Sequence, residues 1–148
     1  MKIEPLVIER TFNAPVEKVW NAITDLKKIR QWSFDMDDFR PEPGFEFQFT
    51  GEHKGRKLFH ICRITEVIPG RKLRHTWTYK GYPGISYVTM ELFPEGDKTR
   101  FRLTHEGLET FPPDNDDFAR GNFQAGWNQI IGTSLKEFLE GKSQSTQA

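Results

Sequence analysis

The chain has 148 residues, and its 21 Lys and Arg balance its 21 Asp and Glu. This length fits one domain. The zero net charge argues against a dedicated nucleic-acid-binding protein or a polybasic membrane-surface protein. The 13 Phe and 4 Trp make the apolar content bulky, and such residues either fill a thick core or line a pocket.

The cysteine content and the lengths of the apolar runs predict the cellular compartment, and the polar C-terminal residues predict the domain limit. Cys62 is the single cysteine, which excludes an internal disulfide and favours a reducing compartment. The N-terminal apolar run is too short for a signal peptide, and no segment approaches the roughly 20 apolar residues of a membrane span. We therefore expect a cytoplasmic protein with no membrane span. It should have one domain over residues 1–141 and a disordered polar tail over residues 142–148.

The N-terminal part predicts a strand and two short helices. Apolar residues alternate over residues 3–12, which indicates a strand. Pro15 suits the first turn of a helix, and Asp25 can cap a second one. The apolar residues at helical spacing are Val16, Val19, Trp20 and Ile23 in the first helix and Leu26, Ile29 and Trp32 in the second.

The middle of the chain, residues 39–106, has a period of two. The segment 57–68 carries apolar residues on both parities, and a bulge would reconcile them. Short turns such as Pro69-Gly70 join the strands, so we expect an antiparallel meander. The predicted strands cover residues 45–49, 57–68, 73–79, 86–93 and 100–105.

A long helix is predicted after Pro112-Pro113. The acidic residues among 114–117 suit its N-terminus, and Gly141 suits its end. Three glycines inside it have two open interpretations, close packing of the helix on the sheet or room for a ligand: Gly121, Gly126 and Gly132. Its apolar stripe comprises Phe123, Trp127, Ile130, Ile131, Ser134, Leu135 and Phe138.

This order of elements predicts an α+β helix-grip fold. A curved six- to seven-stranded antiparallel sheet would wrap around the long C-terminal helix, because sheets twist. Such a geometry leaves space between sheet and helix wherever the facing side chains do not fill it.

Several strings carry a family resemblance. FNAPVEKVWNAITDLKKIRQW, GRKLRHTWTY, TRFRLTHEGL and GWNQIIGTSLKEFLEG resemble the activator of heat shock protein 90 ATPase homologue family, over residues 3–141. That family belongs to the START-like, birch-pollen-allergen-like (SRPBCC) superfamily, whose members enclose a hydrophobic cavity for lipids, sterols, hormones or polyketides. The resemblance implies the fold more firmly than the function. Because the first predicted strand begins at residue 3, we expect no counterpart of the N-terminal domain that supplies much of the chaperone contact in the eukaryotic activator.

Metal, phosphate and nucleophile motifs give no site. No two of the four histidines are four residues apart, and one cysteine makes a thiolate zinc site improbable. Gly141-Lys142-Ser143 lacks the earlier glycine of a phosphate loop. Cys62 fits a small buried apolar residue better than a nucleophile. We expect no metal and no cofactor. The acidic residues that hint at a calcium loop are better read as solvated: Asp35, Asp37, Asp38, Asp114, Asp116 and Asp117.

A ligand pocket is the hypothesis that remains. His75, Tyr79 and His105 share parity with the aromatic strand residues and could orient a bound molecule. The two histidines should lie about 10 Å apart on strands separated by one other. The entrance could be gated by Trp32, Phe34 and Tyr82. The predicted cavity residues are Phe45, Phe47, Phe49, His75, Trp77, Tyr79, Met90, Phe101, Leu103, His105, Phe123, Trp127 and Ile131.

Three functions are compatible with this sequence. The first is a non-enzymatic binding module for a small apolar or amphipathic molecule. The second, implied by the resemblance alone, is a partner of the chaperone heat shock protein 90. The third is a cyclase or hydrolase that uses His75, His105 or Tyr79 as acid or base, although no carboxylate stands at a readable spacing to orient them.

Overall fold

The computed structural model describes residues 4–32, 38–53, 56–112, 118 and 120–140, apart from the side chains of residues 52, 53 and 56. Some of the predictions lie outside the described residues. They are the gate residue Phe34, the acidic positions Asp35, Asp37, Asp114, Asp116 and Asp117, the predicted helix end Gly141, and the tail 142–148.

The regular elements of the described part of the chain are six strands, two short helices, one 3-10 turn (Leu108–Thr110) and a long C-terminal helix. The predicted order of elements is confirmed. The strands are β1 (Leu6–Phe12), β2 (Glu46–His53), β3 (Arg56–Ile68), β4 (Lys72–Tyr79), β5 (Ser86–Glu95) and β6 (Lys98–Glu106), and the short helices are α1 (Val16–Thr24) and α2 (Leu26–Trp32).

The strands form one antiparallel sheet in the order β1-β6-β5-β4-β3-β2. Consecutive strands from β2 to β6 are neighbours, and β1 pairs with β6 in a register that sets Leu6 opposite His105. The curved sheet and the long helix are those of a helix-grip fold, so the predicted α+β class is confirmed.

The predicted bulge lies in β3. The register with β4 shifts between Ile64 and Glu66. Before the shift, alternate residues of β3 from Leu58 to Ile64 are buried, and after it the inward position passes to Val67. One extra residue therefore reconciles the two parities of this strand.

The C-terminal helix changes its winding in the middle. It runs through an α-helical part Arg120–Gln129, a π-helical part Ile130–Leu135 and a last α-helical part Lys136–Glu140. Its buried residues recur every four positions: Phe123, Trp127, Ile131, Leu135 and Leu139. In a pure α-helix, residues four positions apart point in directions that differ by about 40° around the helix axis. The wider π turns compensate for this drift. The π segment thus keeps the stripe on one face.

Of the three glycines in this helix, one lies against another element. A Cβ on Gly121 or Gly126 would meet nothing within 4 Å, whereas one on Gly132 would lie 3.3 Å from Nε of Arg10. Of the three glycines, only Gly132 thus packs closely against another element, and the contact is with a side chain of β1.

None of the helices in the described ranges is long and apolar enough to cross a bilayer.

Candidate ligand cavity between sheet and helix

A cavity of about 50 Å³ lies between the sheet, α1, α2 and the C-terminal helix, and it is partly open to the surface. The side chains of its wall are apolar except for one imidazole and the N–H groups of three indoles. The lining residues are Ile23, Ile29, Trp32, Phe39, Phe47, Phe49, Leu73, His75, Trp77, Met90, Trp127 and Ile130.

Six of the thirteen predicted cavity residues line this space. They come from four elements: β2 supplies two, β4 two, β5 one and the C-terminal helix one. They are Phe47, Phe49, His75, Trp77, Met90 and Trp127. Alternation along the strands brings the five strand side chains to the same face of the sheet, and Trp127 faces them from the helix.

The other seven predicted residues lie elsewhere in the structure. Phe45 precedes β2 and packs at the edge of the core, edge-on to Phe39 with ring centroids 6.5 Å apart. The other six are buried away from the cavity wall because neighbouring side chains fill the space around them: Tyr79, Phe101, Leu103, His105, Phe123 and Ile131.

Aromatic packing closes the end of the interior that contains Tyr79. We call Tyr79, Phe111, Phe118 and Phe123 the distal aromatic cluster. Tyr79 lies 4.8 Å from Phe118 and 5.3 Å from Phe111, and Phe111 stacks on Phe123 at 6.0 Å. The cavity is therefore confined to the end near α1, α2 and β2.

Sequence reasoning missed the other half of the wall. Ile23, Ile29 and Trp32 are predicted as the apolar edges of α1 and α2, and Trp32 also as a gate residue. The sequence does not indicate that both helices line the cavity. Leu73 shares the parity of His75 and Ile130 belongs to the predicted helix stripe, so both could have been included. Phe39 lies in an irregular segment that gives no periodic signal.

Trp32 separates the cavity from an outer groove. The groove, of about 290 Å³, lies between α2 and the C-terminal helix, and Trp32 is the residue that lines both spaces. Its indole donates to the carbonyl of Ala22 at 2.8 Å. The predicted gate residue Trp32 thus stands at the cavity wall, whereas Tyr82 packs on Phe118 at the distal cluster.

The three indole N–H groups of the cavity wall are all used within the protein. Trp32 donates to Ala22, Trp77 donates to the hydroxyl of Tyr79 at 2.8 Å, and Trp127 donates to Nδ1 of His105 at 3.0 Å. Each indole therefore presents its apolar ring, and not its donor, to the cavity.

His75 is the polar exception on the wall. Its side chain is buried, and its Nδ1 lies 2.8 Å from the carbonyl oxygen of Thr76. Since a carbonyl only accepts, Nδ1 carries the proton and Nε2 keeps a lone pair. Within the described residues Nε2 has no hydrogen-bond partner. It is also not among the fully buried polar atoms that lack a partner, so it keeps some accessible surface.

His105, by contrast, has both ring nitrogens satisfied. Trp127 donates to its Nδ1, so the proton is on Nε2 and is donated to Oγ of Ser86 at 2.8 Å. The Ser86 hydroxyl in turn donates to the carbonyl of Trp77 at 2.8 Å. This chain of bonds joins β4, β5, β6 and the C-terminal helix, which gives His105 a structural role.

Burial keeps the interior histidines neutral. Desolvation lowers the pKa of His75 to about 4 and that of His105 to about 3, with repulsion between the two as the second cause for His105. Desolvation likewise lowers the pKa of His60, which stacks on Phe49, to about 4. Burial raises the pKa of the Cys62 thiol, so this cysteine is not a nucleophile at neutral pH.

Among the described residues, the two interior histidines have neither an acidic partner nor a metal-binding cluster around them. Neither His75 nor His105 has a carboxylate partner in the described part of the chain. Over the same residues, no group of three or more His, Cys, Asp or Glu side chains is placed to hold a metal ion. What the cavity offers a ligand is aromatic surface and one lone pair.

Solved structures share this fold. MLL2253 from Mesorhizobium loti is 27% identical, with a TM-score of 0.74 over 97% of this chain and 100% of its own. CalU16 from Micromonospora echinospora is 26% identical, with a TM-score of 0.70 over 95% of this chain and 78% of its own. DynU16, from the dynemicin biosynthetic locus, is 21% identical with a TM-score of 0.76.

The extent of these matches differs. The DynU16 alignment covers 94% of this chain but 48% of DynU16, so the chain spans about half the length of that protein. No curated protein matches the sequence.

A family model matches most of the chain. The family is described as "Activator of Hsp90 ATPase homolog 1-like protein", and its model matches residues 13–140. The match begins just after β1 and ends with the C-terminal helix, so it includes every element that lines the cavity. This chain therefore belongs to the Activator of Hsp90 ATPase homolog 1-like family, within the SRPBCC-like helix-grip proteins.

Proposed function

We propose that this protein binds a small, mainly apolar molecule in the cavity between the sheet and the C-terminal helix. The observation that carries the proposal is an apolar wall that is left partly unfilled in the middle of the fold. Protein interiors are normally close-packed, and empty apolar space costs stability. The family and fold are ones in which ligand binding is common.

The size of the cavity favours a small ligand. Ligand pockets for drug-sized molecules measure about 300–1,000 Å³, and an engineered apolar cavity of about 150 Å³ holds benzene. At about 50 Å³, the present space is smaller than either. A sterol or a long-chain lipid does not fit this proposal, and a single-ring molecule requires the wall to move outward.

Two parts of the wall favour such movement. Met90 is unbranched and has three rotatable bonds, so it adapts to gaps at low cost. Ile130 is half-buried and begins the π-helical segment, and π segments occur often at functional sites. The ligand would then add binding energy through burial of its own apolar area, about 25 cal/mol per Å².

Toluene is a suitable first probe, and the four tryptophans provide the readout. Three of them line the cavity, and Trp20 does not. In ¹H–¹⁵N spectra we expect saturable shifts of the indole N–H signals of Trp32, Trp77 and Trp127 on addition of toluene, while the Trp20 signal stays in place. Shifts of all four signals, or of none, would contradict binding in the cavity.

A cavity-filling variant provides the matched control. Ile130→Phe places a larger side chain at the wall, and we expect it to weaken toluene binding at least tenfold because the space is then occupied. Ile85→Phe makes the same change at an exposed position, 42% accessible, and should bind like the wild type. Equal weakening in both variants would locate the probe outside the cavity.

The family name suggests chaperone interaction as a second function. This alternative predicts stimulation of the heat shock protein 90 ATPase by the purified chain. The large exposed apolar residues are scattered among β1, β3 and the β4–β5 connection, for example Val7, Phe59 and Ile85. Scattered residues of this kind are normal on a surface and do not indicate docking. An unchanged ATPase rate at saturating protein would exclude it.

A further inference from the structure

The lone pair on Nε2 of His75 gives the cavity a chemical preference. We propose that the ligand carries one hydrogen-bond donor, such as the hydroxyl of a phenol, and that Nε2 of His75 accepts this bond. This inference rests on the proposed function, because it requires that the cavity takes up a ligand at all.

A backbone carbonyl determines which ring nitrogen of His75 carries the proton. The carbonyl of Thr76, 2.8 Å away, holds the ring proton on Nδ1 of His75. Nε2 is therefore an acceptor and cannot donate while the ring is neutral. Burial keeps the ring neutral, since it lowers the pKa of His75 to about 4. A ligand that only accepts hydrogen bonds has no partner at this point.

No other lining side chain competes for the donor. The remaining polar groups among the lining side chains are the indole N–H groups of Trp32, Trp77 and Trp127, and all three donate to protein acceptors. They are also donors, which cannot pair with a ligand hydroxyl proton. One acceptor in an apolar wall therefore specifies a ligand with one donor.

The surroundings of Nε2 favour an aromatic ligand. The His75 ring lies edge-on to Phe47 with centroids 5.1 Å apart and roughly parallel to Trp77 at 6.3 Å. Trp77 is in turn 5.1 Å from Trp127. Aromatic rings pair favourably in offset or edge-to-face geometry, so a flat ring with one hydroxyl matches this wall better than a branched aliphatic alcohol.

Phenol and toluene provide the test, because they have nearly the same shape and differ in one hydrogen-bond donor. In an apolar cavity without a partner, a hydroxyl group lowers affinity, since its desolvation is not compensated. With Nε2 as partner, we expect phenol to bind the wild-type protein at least as tightly as toluene. Both dissociation constants are measured from the indole signals, with Trp20 as internal reference.

Variants at residue 75 assign the preference to the imidazole. His75→Phe keeps an aromatic ring and removes the acceptor. Because the larger ring also takes up cavity space, the readout is the ratio of the two affinities in the same variant, and we expect phenol to bind it at least tenfold more weakly than toluene. His75→Gln, which retains an acceptor oxygen, should restore part of the preference for phenol. Long-range ¹H–¹⁵N spectra of His75 should also show the Nε2 signal moving with phenol and not with toluene.

The outcomes separate the two proposals. If both probes bind the wild type and the affinity for phenol relative to toluene falls at least tenfold in His75→Phe, the assignment is supported. If both bind but their affinity ratio is the same in wild type and His75→Phe, the donor preference is overturned and apolar binding stands. If neither probe moves the indole signals, the proposed function fails and this inference with it. The comparison of probes on the wild type does not depend on how well the variants fold.

Discussion

Between pH 6.5 and 5 the free energy of unfolding should fall by about 5 kcal/mol, because three buried histidines must stay neutral in the folded protein. Their folded pKa values are about 4 for His60, about 4 for His75 and about 3 for His105, against an ordinary value of 6.5. Desolvation is the main cause in each case. All three side chains are at most 6% exposed.

The sign of this dependence follows from proton counting. A histidine with a lowered folded pKa binds fewer protons folded than unfolded at pH values between the two pKa values. The stability contributed by the three neutral histidines is therefore fully present above pH 6.5, and it decreases as the pH falls towards 4. Near pH 5 the unfolded chain holds almost three more protons, which gives a slope of about 4 kcal/mol per pH unit.

Urea unfolding at half-unit steps from pH 7.5 to 5 measures this slope. Carboxylates such as Glu9, whose pKa is lowered chiefly by a hydrogen bond from Arg102, contribute at lower pH, so the window above pH 5 isolates the histidines. His75→Phe removes one titrating ring and should reduce the slope by about one third. A wild-type slope below about 1.4 kcal/mol per pH unit would mean that at most one of these rings stays neutral.

Breaking the hydrogen bond between Trp127 and His105 should destabilise the protein by about 2–4 kcal/mol in either single variant. His105→Leu leaves the indole N–H of Trp127 without an acceptor. Trp127→Phe leaves Nδ1 of His105 without a donor and removes part of a buried ring. Both groups are buried, so water cannot easily replace the lost partner.

The double variant distinguishes the hydrogen bond from simple loss of packing. When both partners become apolar, neither leaves an unpaired polar group. We expect His105→Leu with Trp127→Phe to cost about 1–2 kcal/mol less than the sum of the single variants. Trp20→Phe is the control, since Trp20 is half-buried and its indole has no hydrogen bond in the described residues. Strict additivity in the double variant would show that the hydrogen bond makes no separate contribution to stability.

The fold could be predicted from the sequence because its signals are local and periodic. The alternation around Phe47 and Trp77 determines which strand faces are buried, and the short turns make the sheet antiparallel. The bulge between Ile64 and Glu66 could be expected from apolar residues on both parities, although its position could not.

The cavity wall could be predicted only in part, because burial does not distinguish a wall from a packed core. Phe101 and Phe49 follow the same alternation, yet Phe101 packs against Phe12 with centroids 5.7 Å apart and Phe49 faces the cavity. The difference depends on where the distal aromatic cluster fills the interior, which is a property of the whole fold. Phe39 gave no signal because it lies outside any regular element.

The roles of the two histidines also depended on tertiary structure. His75 and His105 have the same parity and similar strand context, so the sequence pattern does not distinguish their roles. In the fold, the indole of Trp127 reaches His105 and completes its hydrogen bonds, whereas Nε2 of His75 remains open on the wall. A helix residue 22 positions further along the chain thus determines which histidine can serve a ligand.

The most direct measurement of the central claim is the location of bound phenol by intermolecular nuclear Overhauser effects in the wild-type protein with labelled methyl groups. We predict contacts from the phenol ring protons to the methyl groups of Met90 and Ile130, which line the cavity. The exposed methyl groups of Ile68 and Ile85, 44% and 42% accessible, should show none. Contacts to the exposed methyl groups without those of Met90 and Ile130 would contradict ligand binding between sheet and helix.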